Sequence, residues 1–270
     1  MLIVLCVGEK CMLQTRIEEL KQYAFVIKQL SLKEHKRKTD ETNLGVVWNV
    51  LNPLLYMVIL STYYQNVIIH KIENFPVFVF TGYTIFNYYS SATKGAMKCF
   101  VYNRTLISRT HSSLKIYIFQ KVFVAFKELA FSGIAIIPVM FYFRINITPR
   151  IMLLVPILVL ATMTIVGIGE LLAIVFSFFG DIDYLYSVFM TMLLFVSGVF
   201  IPIDHIPRQF HRVLGYNPIF LSIYMARNSL IYNLPSHWSA WVKMFLWATI
   251  SSFGGNFILN KHQNKILSRL

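Results

Sequence analysis

Along the chain, apolar residues gather in long blocks separated by short polar or basic stretches. A helix needs about 20 such residues to cross the hydrocarbon layer of a bilayer. The blocks predict spans at about 45–69, 75–93, 116–142, 151–179, 184–201 and 238–259. The expected fold is therefore an all-α integral membrane protein with six transmembrane helices. Two further stretches have other periods. Over 15–38, Ile17, Leu20, Ala24, Ile27 and Leu30 recur every three or four residues, while Glu18, Glu19, Lys21, Lys28 and Gln29 fill the other side. That pattern predicts an amphipathic helix lying at the membrane interface. Residues 202–235 alternate prolines with apolar pieces too short to span, which predicts a re-entrant helical segment between spans five and six. The organisation that follows is an N-terminal arm (1–44), a transmembrane domain (45–260) and a short tail (261–270).

The polar positions inside these blocks are not scattered. In "LGVVWNVLNPLLYMVIL" (44–60) and the residues after it, Trp48, Asn52, Tyr56 and Tyr63 fall within an arc of about 80° at 3.6 residues per turn. Pro53 has two readings: a kink inside a membrane helix, or the first residue of a helix capped by Asn52. Trp48 fits an interfacial aromatic belt. Tyr56 is about 12 Å deeper at 1.5 Å per residue, where a contact with another helix fits better. In the second span Tyr83, Asn87, Ser90 and Lys94 share one face. Such residues serve either as interhelical glue or as the lining of a hydrophilic path, and two aromatic polar stripes in one chain favour the path. Lys121, Lys127 and Glu128 in the third span and Glu170 in the fourth are costly at that depth. An internal ion pair would offset that cost, or Lys121 would snorkel to the surface; for Lys121, close to its loop, snorkelling is the preferred expectation.

Composition agrees with the pattern: 56% of the 270 residues are hydrophobic and 14% are charged. The net charge of +13 is informative through its distribution. Sixteen Lys and Arg lie in the arm, the 94–115 loop and the tail, against six in the segments between alternate spans. The positive-inside rule then puts both termini in the cytoplasm. Nucleic acid is not the implied partner. The three cysteines have no metal-ligand spacing. "TKGAMK" (93–98) lacks the first glycine and final Ser/Thr of a phosphate-cradling loop, so nucleotide binding of that kind is not expected. No metalloprotease or nucleophile-elbow motif is present, and no metal site or catalytic residue is predicted.

The order of these features resembles the membrane subunit of ABC-2 type polysaccharide exporters, the permeases for O-antigen, capsule and teichoic acid. "LKEHKRKTDETNLGVVWNVLNPLLYM" looks like that family's entry into its first span, and "FPVFVFTGYTIFNYYSSAT" like its second. "NRTLISR" (103–109), "GDIDYL" (180–185), "VSGVFIPIDHIP" and "NPIFLSIYMAR" are similar to its cytoplasmic loop, its short turn and its Pro-rich external segment. The chain departs from the pattern at His111-Ser112, where the family has Phe-Pro. Gly180 stands where it has Arg, Gly198 where it has Pro, and Glu170 where it is apolar.

The resemblance implies a homodimer working with two separate P-loop ATPase subunits, which bind the ATP and Mg; this chain holds no cofactor. It implies a bacterial cytoplasmic (inner) membrane location and a polyprenyl-pyrophosphate-linked polysaccharide as cargo. Trp48, Asn52, Tyr56, Tyr63, Tyr83 and Asn87 would line the path. Lys36, Arg37 and Lys38 would receive the pyrophosphate. The 94–115 loop would couple to the ATPase through Asn103, Leu106, Ile107 and Arg109, where the alternative is a contact with anionic headgroups. Two rivals stand beside this reading. One is an ABC-2 permease for a drug or simple lipid. The other is a membrane-embedded glycolipid-modifying enzyme using Glu170, Asp181 or Asp204, acids whose predicted placement on opposite faces argues against one active site.

Overall fold

The computed structural model describes residues 21–34, 36, 45–67, 74–110, 113–146, 148–202 and 206–269. The start of the expected interface helix (15–20), Arg37, Lys38, Asp204 and His205 lie outside these residues. Every regular element among the described residues is helical. In chain order they are α1 (21–34), α2 (Trp48–Val67), α3 (Phe75–Tyr102), α4 (Arg104–Thr110), α5 (Leu114–Tyr142), α6 (Leu154–Phe178), α7 (Ile182–Val196), α8 (Arg208–Leu214), α9 (Pro218–Arg227) and α10 (Trp238–Arg269). By length and composition, α5 and the Pro149–Phe178 stretch that includes α6 are apolar enough to cross a membrane, and α7 is a shorter apolar helix.

Helix α3 forms the centre, with α2, α5, α6 and α9 around it. It runs to Tyr102, past the expected end at 93, because Ala96, Met97, Cys99 and Phe100 continue its buried face beyond Lys94. The expected 94–115 loop is therefore mostly helix, broken at Asn103. The Asn103 backbone and Nδ2 both donate to the Cys99 carbonyl, at 3.2 and 2.8 Å, and its own carbonyl starts α4. The expected tail is helical too, since α10 continues to Arg269, whose Nη1 donates to the Phe178 carbonyl at the end of α6.

Pro53 lies inside α2, a turn past its start at Trp48, so the capping reading of Asn52-Pro53 does not hold. A proline there leaves the carbonyl four residues earlier without its helical donor. The structure supplies one from another helix: Ser132 Oγ of α5 donates to the Asn49 carbonyl at 2.8 Å. The second Asn-Pro pair does cap. Asn217 Oδ1 accepts from the Ile219 amide at 2.9 Å, with Pro218 as the first residue of α9.

At the end of α9, Arg227 is 5% exposed and, among the described residues, binds carbonyls and a ring. Its Nε and Nη2 donate to the Phe78 carbonyl (3.2 and 2.9 Å), Nη1 to that of Gly198 (2.7 Å), and Nη2 to that of Val199 (2.8 Å). The guanidinium carbon lies 3.3 Å from the centre of the Phe78 ring. Two glycines permit this. A Cβ on Gly82 would sit 2.2 Å from Nη2, and Gly198 adopts φ +67, a conformation that disfavours side chains. That backbone excludes proline at this position, since its φ is fixed near −65°.

Helices α6 and α10 cross closely through small residues, as helices do when lipid offers no hydrophobic drive. A Cβ on Gly167 would meet the Ser251 backbone at 2.1 Å, and one on Gly255 would meet the Gly167 carbonyl at 2.5 Å and Glu170 Oε2 at 2.7 Å. Glu170 itself is 3% exposed and its Oε2 has no hydrogen-bond partner among the described residues. Gly254, one residue away, faces open space. Gly255→Leu should therefore cost about 1–3 kcal/mol through overpacking and lower the unfolding temperature in detergent by several degrees. Gly254→Leu should leave it unchanged. Equal effects of the two substitutions would contradict the crossing.

Candidate functional site

The sequence-predicted polar residues of α2 and α3 come together on one side of the helix cluster. Tyr56 stacks on Tyr83 with ring centres 4.2 Å apart and planes 24° from parallel. Trp48, Asn52, Tyr56 and Tyr63 are exposed on α2, while Tyr83 and Asn87 are half-buried behind them. The stripe continues down α3 through Ser90, Ser91 and Lys94, all partly open. From α5, Glu128 joins it, accepting a bond from Ser91 Oγ at 3.2 Å. Lys127 turns away and places its ammonium 4.7 Å from the centre of the Phe123 ring. Open aromatic faces beside amide and hydroxyl groups can slide along a hydroxyl-rich polymer without gripping it.

The site residues expected at the cytoplasmic end are split by the structure. Leu106 and Arg109 face outward on α4, but Ile107 is 2% exposed and turned into the core. Asn103 is occupied in closing α3 and opening α4. Beside α4 is a cleft of about 830 Å3 between α1 and α5, lined by Leu30, Lys33, Glu34, Tyr102, Leu106 and Lys121. Lys36 follows α1 and is exposed.

Lys121 corrects the snorkelling expectation: it is held in an ion pair. Its Nζ lies 2.8 Å from Glu34 Oε1, and Gln120 Nε2 donates to Glu34 Oε2 at 2.6 Å. This fastens α1 to α5, and Ser31, one turn earlier, is fully buried. A second pair joins the same end of α3 to α7. Lys98 Nζ is 2.7 Å from Asp183 Oδ2. Sequence reasoning missed Glu34 because its partners are about 87 positions away. It missed the Arg227 node although a lone arginine in "NPIFLSIYMARNSLIY" was the available signal. Among the described residues no group of His, Cys, Asp and Glu gathers to hold a metal. His211 Nε2 is instead 2.7 Å from the Ile206 carbonyl.

Comparison with known proteins places this geometry. A family model described as ABC-2 type transporter matches residues 26–231. The chain is 23% identical over 195 residues to the O-antigen export system permease protein RfbA of Klebsiella pneumoniae, covering 69% of this chain and 73% of that one. A Myxococcus xanthus protein of the same name is 24% identical over 206 residues, covering 75% and 79%. The polysialic acid transport protein KpsM of Escherichia coli is 23% identical over 220 residues, covering 76% and 81%.

The Glu34 pair generates a thiol-labelling prediction. With Cys6 and Cys11 replaced by Ser, a Ser31→Cys thiol should resist maleimide. Adding Glu34→Lys should raise its labelling rate roughly tenfold, the effect of losing one or two charge-assisted hydrogen bonds. Adding Lys121→Glu as well should restore protection. Labelling unaffected by Glu34→Lys would show that the pair does not seat α1.

Proposed function

Because this chain belongs to the ABC-2 type transporter family, we propose that it is the permease subunit of an ATP-driven exporter of polysaccharide in the bacterial cytoplasmic membrane. The names of the relatives support the cargo class. The observation that carries the mechanism is the Tyr56–Tyr83 stack on an open polar face. In this reading α2, α3, α5, α6, α7 and α10 are the six spans, and α8 and α9 form the re-entrant segment on the external side. The excess of Lys and Arg in the arm, the α3–α4 region and the tail supports cytoplasmic termini.

The cargo is a glycan or polyol phosphate linked to polyprenyl pyrophosphate. Lys36, Arg37 and Lys38 meet the pyrophosphate at the cytoplasmic surface. Trp48, Asn52, Tyr56, Tyr63, Tyr83 and Asn87 then guide the sugars. A second copy of the chain covers the open face of α2, which turns that face from a lipid-exposed stripe into one wall of a shared path. ATP and Mg belong to two separate P-loop ATPase subunits, which dock on α4. Leu106 and Arg109 are the contacts, while Asn103 and Ile107 hold α4 in place. ATP binding by the partner favours one arrangement of the dimer, and hydrolysis releases it.

The test combines assembly and export. Leu106→Asp should reduce co-purification of the ATPase by roughly tenfold or more, as at an interface hot spot. Ile107→Asp should instead reduce the yield of folded permease, because it buries a charge in the core. Tyr56→Ala with Tyr83→Ala should leave the complex assembled and lower surface polymer. Normal surface polymer in that variant would remove these tyrosines from the path, and intact ATPase binding by Leu106→Asp would remove α4 from the docking surface.

A further inference from the structure

A second cavity, of about 380 Å3, lies where α7, α8 and α9 meet α3 and α10. Its polar side chains are turned to protein partners. The Tyr186 hydroxyl donates to Thr93 Oγ1 at 2.6 Å, and Thr93 donates to the Tyr89 carbonyl at 2.6 Å. The Tyr89 hydroxyl is 2.9 Å from Ser222 Oγ. Asn217 Nδ2 donates to Ser197 Oγ, and the Trp247 indole donates to the Tyr216 carbonyl at 2.7 Å. The remaining wall is aliphatic, with Ile168, Met190, Leu193 and Val196 among its members. A pocket in the lower part of the usual ligand range of about 300–1,000 Å3, with its polar groups already bonded, selects hydrocarbon over sugar or phosphate.

The rim has the opposite character. Lys243 holds its ammonium 4.8 Å from the centre of the Tyr216 ring. Arg212 follows on the last turn of α8, beside Val213, which lines the cavity. Among the described residues neither cation is paired with a carboxylate. An alkyl slot with an unpaired cation, Lys243, at its mouth, in a chain set in a bilayer, is complementary to an anionic amphiphile. We propose that this is a binding site for an anionic phospholipid, with part of one acyl chain in the cavity and the phosphate at Lys243. The inference rests on the permease reading for its membrane setting, but uses none of the residues assigned to the sugar path (Trp48, Asn52, Tyr56, Tyr63, Tyr83 and Asn87).

The test uses the purified full-length permease with its ATPase partner, in detergent. Phosphatidylglycerol, phosphatidylcholine and polyprenyl phosphate are each added, with thermal unfolding and native mass spectrometry as readouts. Phosphatidylglycerol should raise the unfolding temperature and remain bound, and phosphatidylcholine should do neither. Lys243→Gln should weaken phosphatidylglycerol binding roughly fivefold, as for the loss of one charge-assisted contact, while Lys243→Arg keeps it. Val213→Trp, at a position 66% exposed and so tolerant of bulk, should block the slot. The proposal is overturned if the two phospholipids bind alike, if Lys243→Gln binds as the parent does, or if polyprenyl phosphate displaces phosphatidylglycerol. Lysine-dependent binding without ATPase co-purification would uphold the lipid site and count against the permease reading.

Discussion

A buried guanidinium bonded to backbone carbonyls holds one end of this helix cluster together. Removed from water, Arg227 needs its donors satisfied, and three carbonyls from two distant segments meet that need together. The Phe78 carbonyl lies near the start of α3, and those of Gly198 and Val199 lie in the turn after α7. The contact therefore fixes where α7 ends, how α9 approaches α3, and why Gly82 and Gly198 lack side chains. Lysine, with a single nitrogen and no planar face, could not reproduce both the fork of bonds and the stack on Phe78.

The other end of α3 is organised by charge that water can reach. Lys121 with Glu34, and Lys98 with Asp183, join α5 to α1 and α3 to α7 near the cytoplasmic end of the reading adopted above. Both pairs are partly open, so each contributes less than its short distance suggests. The two ends thus differ in kind. One is closed by a desolvated cation among carbonyls, the other by exchangeable ion pairs beside the short helix α4.

Much of this was legible in the sequence. The long apolar blocks gave the helices, the arcs of Asn52, Tyr56 and Tyr83 gave the face on which the stack forms, and "NPIFLSIYMAR" marked a capped helix. What failed has identifiable causes. Block length reports the thickness of a bilayer, not the end of a helix, so α3 was cut short at Lys94 and α10 at the tail. The dipeptide Asn-Pro occurs twice and caps once. Only the tertiary donor Ser132, 83 residues away from Asn49, makes the proline inside α2 acceptable. Ile107 looked like its neighbour Leu106 because a seven-residue helix offers too few turns for a face to be assigned.

The length of α3 has a mechanical consequence. Its 28 residues form a rod of about 42 Å at 1.5 Å per residue. The rod is gripped near one end by Arg227 and joined at the other to α4 through Asn103. With no proline inside it beyond the first turn, it lacks the commonest cause of a sharp kink. Leverage follows from stiffness: a tilt of about 5° at one end carries the other by roughly 4 Å over that span.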